Sequence, residues 1–325
     1  MMKIVNGISI RSKGIGPFQK SIYIPTEIIF NFKRNTLQIG QDAWRVFNFK
    51  ALNINCHANA KLLLNPFDSG FSKDFGVYGF REPLNSHAMF KKITEKKPVV
   101  LDVGSNLGYF ALLEIVAGAR KVISIEPVPI TFSFLSKTLS PYNNVELFNL
   151  AMSDEIKDLR LFVGEQKNVT SADSEMLNRF GQKITDEIIV KTLDLTKAAK
   201  DFPFTMIRMD VEGHEYKIFN NRNVPEQLTC ICIELHVLHP YNKSHAIRFL
   251  TNLANQGFHA STVINEMNNS DYPLIQALGL KEAYNLASVI RRNTKKCPKI
   301  QYNLELYSLI KELPDQGQIH LILER

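Results

Sequence analysis

The stretch Val99-Val100-Leu101-Asp102-Val103-Gly104-Ser105-Asn106-Leu107-Gly108-Tyr109-Phe110 constrains this 325-residue chain more than any other. An apolar run ends at an acid, a short loop with glycines at 104 and 108 follows, and a helical pattern begins. A second apolar run, Val122-Ile123-Ser124-Ile125, ends at Glu126-Pro127, with Glu126 placed 24 residues after Asp102. This spacing predicts a strand–loop–helix–strand unit whose strand ends hold an adenosine-bearing ligand.

The loop lacks G-x-G-x-x-G, which a dinucleotide needs so that its pyrophosphate can approach backbone amides. It also contains no Lys, so it is not a P-loop. A cofactor without phosphates fits better, and S-adenosylmethionine (AdoMet) is such a cofactor. The glycines would let the backbone approach its methionine part, Asp102 could bind the ammonium group, and Glu126 could accept hydrogen bonds from both ribose hydroxyls.

The composition, 45% hydrophobic and 22% charged, is ordinary for a globular protein. No apolar run approaches the ~18 residues of a membrane span, and the first residues show no secretory pattern. Of the four cysteines, Cys230 and Cys232 alternate in an apolar strand and are expected in the core, and no disulfide framework is apparent. A cytoplasmic location is therefore expected. Residues 1–97 hold 15 Lys and Arg against 6 Asp and Glu, whereas the remainder holds 24 against 26. The excess positive charge thus precedes the glycine loop, where it reads as a solvated face or as a patch for a polyanion such as RNA.

Residues 1–75 read as a small β-rich basic domain, with strand-like runs at 21–25, 27–32 and 43–49 and a turn signal at 13–17. Trp44 is expected in its core. Residues 76–325 alternate strands and helices: a leading helix at 84–95, then strands at 98–103, 121–126, 144–151, 204–210 and 229–235, with helices at 107–117, 129–139, 213–220 and 243–255. Such alternation implies a mostly parallel sheet of α/β type. Residues 257–259 open a further strand, and 318–323 suit an antiparallel last strand. Insertions are expected at 155–192, with extra strands at 158–163 and 187–191, and at 265–317, which carries a basic run at 291–296.

A second group of acids and histidines falls at strand ends. Asp210 ends one strand and is followed by Glu212, His214 and Glu215; Glu234 and His236 end the next. Ligands of open α/β sheets bind beyond these ends. A carboxylate or a histidine here could act as a general base, or Asp210 and Glu234 could hold a Mg²⁺-like ion. Alternatively, Glu212 or Glu215 caps a helix. The segment His239-Pro240-Tyr241-Asn242 reads as a turn.

These residues resemble the FkbM family of AdoMet-dependent methyltransferases. The resemblance rests on 101–110, on Ile125-Glu126-Pro127, on Asn149-Leu150-Ala151-Met152-Ser153-Asp154, on Ile207-Arg208-Met209-Asp210-Val211-Glu212-Gly213-His214-Glu215 and on Ile233-Glu234-Leu235-His236. It implies a class I, Rossmann-like fold over about 75–262, with AdoMet as cofactor. It implies that Asp102, Gly104, Asn106 and Gly108 line the methionine end, and Ser105, Tyr109 and Pro127 are also expected to bind the cofactor. Glu126 would face the ribose, Ser153 and Asp154 the adenine, and Asp210 the reactive methyl. Catalysis would fall to Asp210, Glu212, His214, Glu234 and His236. The acceptor implied is a sugar or another small hydroxyl compound. The basic N-terminal part leaves RNA as an alternative acceptor, and a non-catalytic adenosine-ligand sensor is the reading from another class. No membrane partner is expected.

Overall fold

The computed structural model describes residues 28–31, 36–39, 42–68, 70–165, 170–179, 181, 183–219, 223–238, 243–264, 300–313 and 316–325. The runs read at 13–17, 21–25, 239–242 and 291–296 lie outside these residues.

Two hairpins come first: β1 (Ile28–Asn31) with β2 (Thr36–Ile39), then β3 (Trp44–Val46) with β4 (Lys61–Leu63). Helices α1 (Phe71–Tyr78) and α2 (Pro83–Lys96) lead into β5 (Val99–Val103), α3 (Tyr109–Val116), β6 (Lys121–Ile125), α4 (Pro129–Leu139) and β7 (Val145–Phe148). A side sheet holds β8 (Ala151–Ser153), β9 (Asp158–Gly164), β10 (Thr170–Ser171) and β11 (Ile184–Asp194), with α5 (Ser174–Arg179) inserted before β11. After α6 (Leu195–Asp201) follow β12 (Met206–Met209), α7 (Glu215–Phe219), β13 (Cys230–Leu238), α8 (Lys243–Asn255), β14 (His259–Ile264), β15 (Ile300–Leu304), α9 (Leu306–Glu312) and β16 (Gln316–Glu324).

The main sheet has eight strands in the order β15-β14-β16-β13-β12-β5-β6-β7. β13, β12, β5, β6 and β7 run parallel, and β16 lies antiparallel against β13. The antiparallel last strand read from the sequence is therefore present. Every residue of β5 is buried, as expected of a central parallel strand covered by helices on both faces. The strand order reverses between β5 and β12, and ligands collect in the crevice above such a point.

The single strand expected at 144–151 is two. β7 ends the main sheet, while β8 pairs with β11 in the side sheet. Between them the Asn149 side-chain amide donates to the carbonyls of Glu126 (2.8 Å) and Pro127 (3.0 Å), which turns the chain out of the sheet. Trp44, expected in the core, is 37% exposed. The alternation is real, but Ala43, Arg45, Phe47 and Phe49 take the inner face, so Trp44 faces outward. Residues from Ala43 to Leu64 share one hydrophobic cluster with α1–α4 and with Val100, Met206, Cys230, Cys232 and Ile322 of the main sheet. No described helix is long and apolar enough to cross a membrane.

Candidate active site

The glycine loop is built by a close approach of two backbones. Gly104 has φ +78°, and a Cβ there would lie 1.9 Å from the carbonyl oxygen of Asp210. The turn after β5 thus packs directly on the turn after β12, and only glycine permits it. Gly104 and Ser105 N–H groups donate to the Ile125 carbonyl at 3.0 and 3.1 Å, which ties this loop to the end of β6. Gly108, with φ +93°, opens α3 where a Cβ would meet Leu135 Cδ1 at 2.8 Å.

Glu126 sits at the end of β6, 5% exposed. Its Oε2 accepts from Asn106 N–H and its Oε1 from Val128 N–H, both at 2.9 Å. A carboxylate has about four acceptor positions, so each oxygen retains one. Burial, only partly offset by those two bonds, pushes its pKa up to about 7.

Above these turns lies an open cleft. Gly104, Asn106, Glu126, Pro127 and Val128 form one side of it, and Asp210, Val211, Glu212 and His214 another. The side sheet closes it with apolar groups, among them Met152, Leu159 and Leu161. Three carboxylates and no Lys or Arg line the cleft among the described residues. The Oδ1 atoms of Asn106 and Asp210 are buried without a hydrogen-bond partner.

Asp102, expected in this lining, lies beneath it. It is fully buried, with Oδ1 3.4 Å from Arg208 Nη1, and burial raises its pKa above the ordinary value. Arg208 also donates to the Gly104 carbonyl (2.9 Å) and to Asp210 Oδ2 (3.0 Å), and its guanidinium lies 4.3 Å from the Phe110 ring centre. Burial opposes the charge on Arg208, but Asp210 and Asp102 outweigh it and keep the group protonated. Sequence reasoning did not single out Arg208. Its signal was a cation inside the apolar run Met206-Ile207-Arg208-Met209, a place where only a paired charge is tolerated.

The segment after β12 is held by a second residue that sequence reasoning left as a helix cap. Glu215 is fully buried, and its Oε1 accepts from Gly213 N–H at 3.1 Å and from His236 Nδ1 at 2.9 Å. Glu212, at φ +51°, places Oε2 3.3 Å from His236 Nε2. Burial disfavours a charged ring at His236, yet Glu215 and Glu212 raise its pKa well above the ordinary histidine value. The His236 ring is therefore clamped between two carboxylates. His214 is its opposite: burial, with Lys217 nearby, lowers its pKa to about 4. Its Nε2 is 3.0 Å from Ser153 Oγ, which also contacts Asp154 Oδ1 at 2.9 Å.

The expected Asp210–Glu234 ion pair of ligands is divided between two clusters: Asp210, Glu212 and His236 form one, and Glu82, Glu234 and His320 the other. Burial, together with Asp210, raises the Glu234 pKa well above the carboxylate range. Of the other expected cofactor residues, Gly104, Asn106, Glu126, Pro127 and Asp210 reach the cleft. Ser105, Gly108, Ser153 and Asp154 are not among its lining residues. Tyr109 does not approach it: its hydroxyl donates to the Arg81 carbonyl at 3.0 Å and its ring stacks on Phe47 at 4.9 Å.

Residues 102–260 match the family model described as the methyltransferase FkbM domain. This segment is an FkbM methyltransferase domain. It contains the glycine loop, Glu126 and the run from Arg208 to His236, while Glu82 and His320 lie outside it. A comparison with curated protein sequences finds no match. Solved structures similar to the chain include precorrin 8W decarboxylase from Methanobacterium thermoautotrophicum (13% identity, covering 81% of this chain and 96% of that one, TM-score 0.36). Others are M. jannaschii TYW2 in complex with AdoMet (12%, 94% and 94%, 0.35) and ribosomal protein L11 methylase from Lactobacillus delbrueckii subsp. bulgaricus (9%, 74% and 77%, 0.35). At these scores they say nothing of the chemistry of the FkbM domain, which its own residues must supply.

Proposed function

We propose that the chain transfers a methyl group from AdoMet to an acceptor oxygen on a sugar or another small hydroxyl compound. The observation that carries this reading is the charge of the cleft: Glu126, Asp210 and Glu212 line it, and among the described residues no Lys or Arg does. Such a lining repels a polyphosphate and favours a cation.

The residues fit this cofactor. The free acceptor positions of Glu126 suit two ribose hydroxyls. The orphaned Oδ1 atoms of Asn106 and Asp210 suit an ammonium group, which replaces the role expected for Asp102. Met152, Leu159 and Leu161 offer an apolar wall for a base. When bound, AdoMet supplies a methyl group on a positively charged sulfur. Asp210 and Glu212 provide negative charge toward that centre, and the clamp of Arg208 on Asp210 fixes its orientation. Glu212 takes the acceptor proton: burial raises its pKa above the ordinary carboxylate value, and His236 holds it in place. Most of the acceleration then comes from alignment of the acceptor.

Calorimetry with AdoMet, S-adenosylhomocysteine and NAD tests the cofactor; binding of NAD alone ends this reading. Mass spectrometry of metabolites, glycans and tRNA from cells with and without the protein tests the acceptor. A methyl group missing only from tRNA would move the acceptor to RNA.

A further inference from the structure

We propose that Glu82, Glu234 and His320 form a binding site for a divalent transition-metal cation beside the methyl-transfer centre. The proposal deepens the reading above and rests on it for the role of the ion, not for its binding. One ligand-capable atom from each residue lies within 4.8 Å of the other two. The fold places them deliberately. Glu234 of β13 and His320 of β16 are direct partners in the antiparallel ladder, so their side chains stand on one face at close range. Glu82 comes from the turn that opens α2 over that face.

His320 is the independent sign of a ligand. It is 4% exposed, and no hydrogen bond to its ring is found among the described residues. The nearest acid, Glu82 Oε2, is 4.0 Å away, too far for one. Glu82 Oε2 accepts from Asn85 Nδ2 at 3.0 Å, and Glu234 has no hydrogen-bond donor among the described residues. The nearby cation, Arg208, is already committed to Asp102, Asp210 and Gly104. The other cluster is a poorer site, because both nitrogens of His236 already face carboxylates.

One imidazole with two carboxylates suits Mn²⁺ or Zn²⁺ rather than Ca²⁺. Three protein ligands leave coordination positions open. Those positions would take oxygens of the acceptor, which makes an acceptor with two adjacent oxygens the preferred class.

The test uses the full chain, stripped with EDTA, then titrated with Mn²⁺ alone by electron paramagnetic resonance and with Zn²⁺ alone by calorimetry. One equivalent is expected. Glu234→Gln, His320→Asn and Glu82→Gln are each expected to weaken it by about 10–100-fold or more, with thermal melts confirming which variants fold. Glu212→Gln is expected to leave metal affinity unchanged. Absence of saturable binding overturns the proposal, as does a loss in Glu212→Gln equal to that in the three variants. AdoMet affinity is measured on the same stripped protein. Metal binding without AdoMet binding removes the methyl-transfer reading and leaves the metal site standing; the reverse removes the metal site alone.

Discussion

Asp102 and Arg208 are direct partners on the adjacent parallel strands β5 and β12, with Arg208 Nη1 3.4 Å from Asp102 Oδ1. The same guanidinium reaches Asp210 at 3.0 Å. One buried cation thus balances the acid that ends the first strand and the acid that faces the cleft.

Arg208→Leu is expected to destabilise the protein by about 3–5 kcal/mol, because two acids are left without their counter-charge. Urea unfolding measures it. The double variant Arg208→Leu with Asp102→Asn is expected to recover part of the loss.

Gly104→Ala is expected to cost about 2–5 kcal/mol, from positive-φ strain together with overpacking against the Asp210 carbonyl. Loss of AdoMet binding would accompany it, since the loop could no longer rest on the turn after β12. Thermal denaturation and calorimetry together check this.

The pKa of Glu126, pushed up to about 7 by burial, gives cofactor affinity a pH dependence. The ionised form offers both oxygens as acceptors, whereas the protonated form carries a donor in place of one. Affinity for AdoMet is expected to rise as pH increases toward 7 and to level off above it. Glu126→Gln should remove this dependence and weaken binding by about 10–100-fold, as expected for loss of charged hydrogen bonds. Calorimetry at several pH values reads both.

Glu215→Gln is expected to lower the His236 pKa, since the ring loses one of its two carboxylate partners. NMR titration of the ring follows the shift. Turnover should fall with it, because Glu212 would lose the charged partner that holds it at the cleft.

The unit from Val99 to Glu126 was legible because strand, glycine loop, helix and acid follow one another at short range, where local periodicity and turn chemistry speak directly. The same holds for the helix at 84–95, found as Pro83–Lys96, and for Cys230 and Cys232, both buried. The break between β7 and β8 was not legible, because it depends on Asn149 reaching the carbonyls of Glu126 and Pro127. The outward face of Trp44 was hidden for a similar reason: alternation is local, but its phase is set by whatever the hairpin packs against.

The sequence alone determined a parallel α/β sheet, the glycine loop and an acid at the end of its second strand, since each follows from residues close together in the chain. Tertiary structure alone decided that Asp102 lies under the cleft, that His236 is clamped between Glu212 and Glu215, and that Glu234 belongs with Glu82 and His320. These depend on which charges the fold buries against one another, and residues far apart in the chain set that balance.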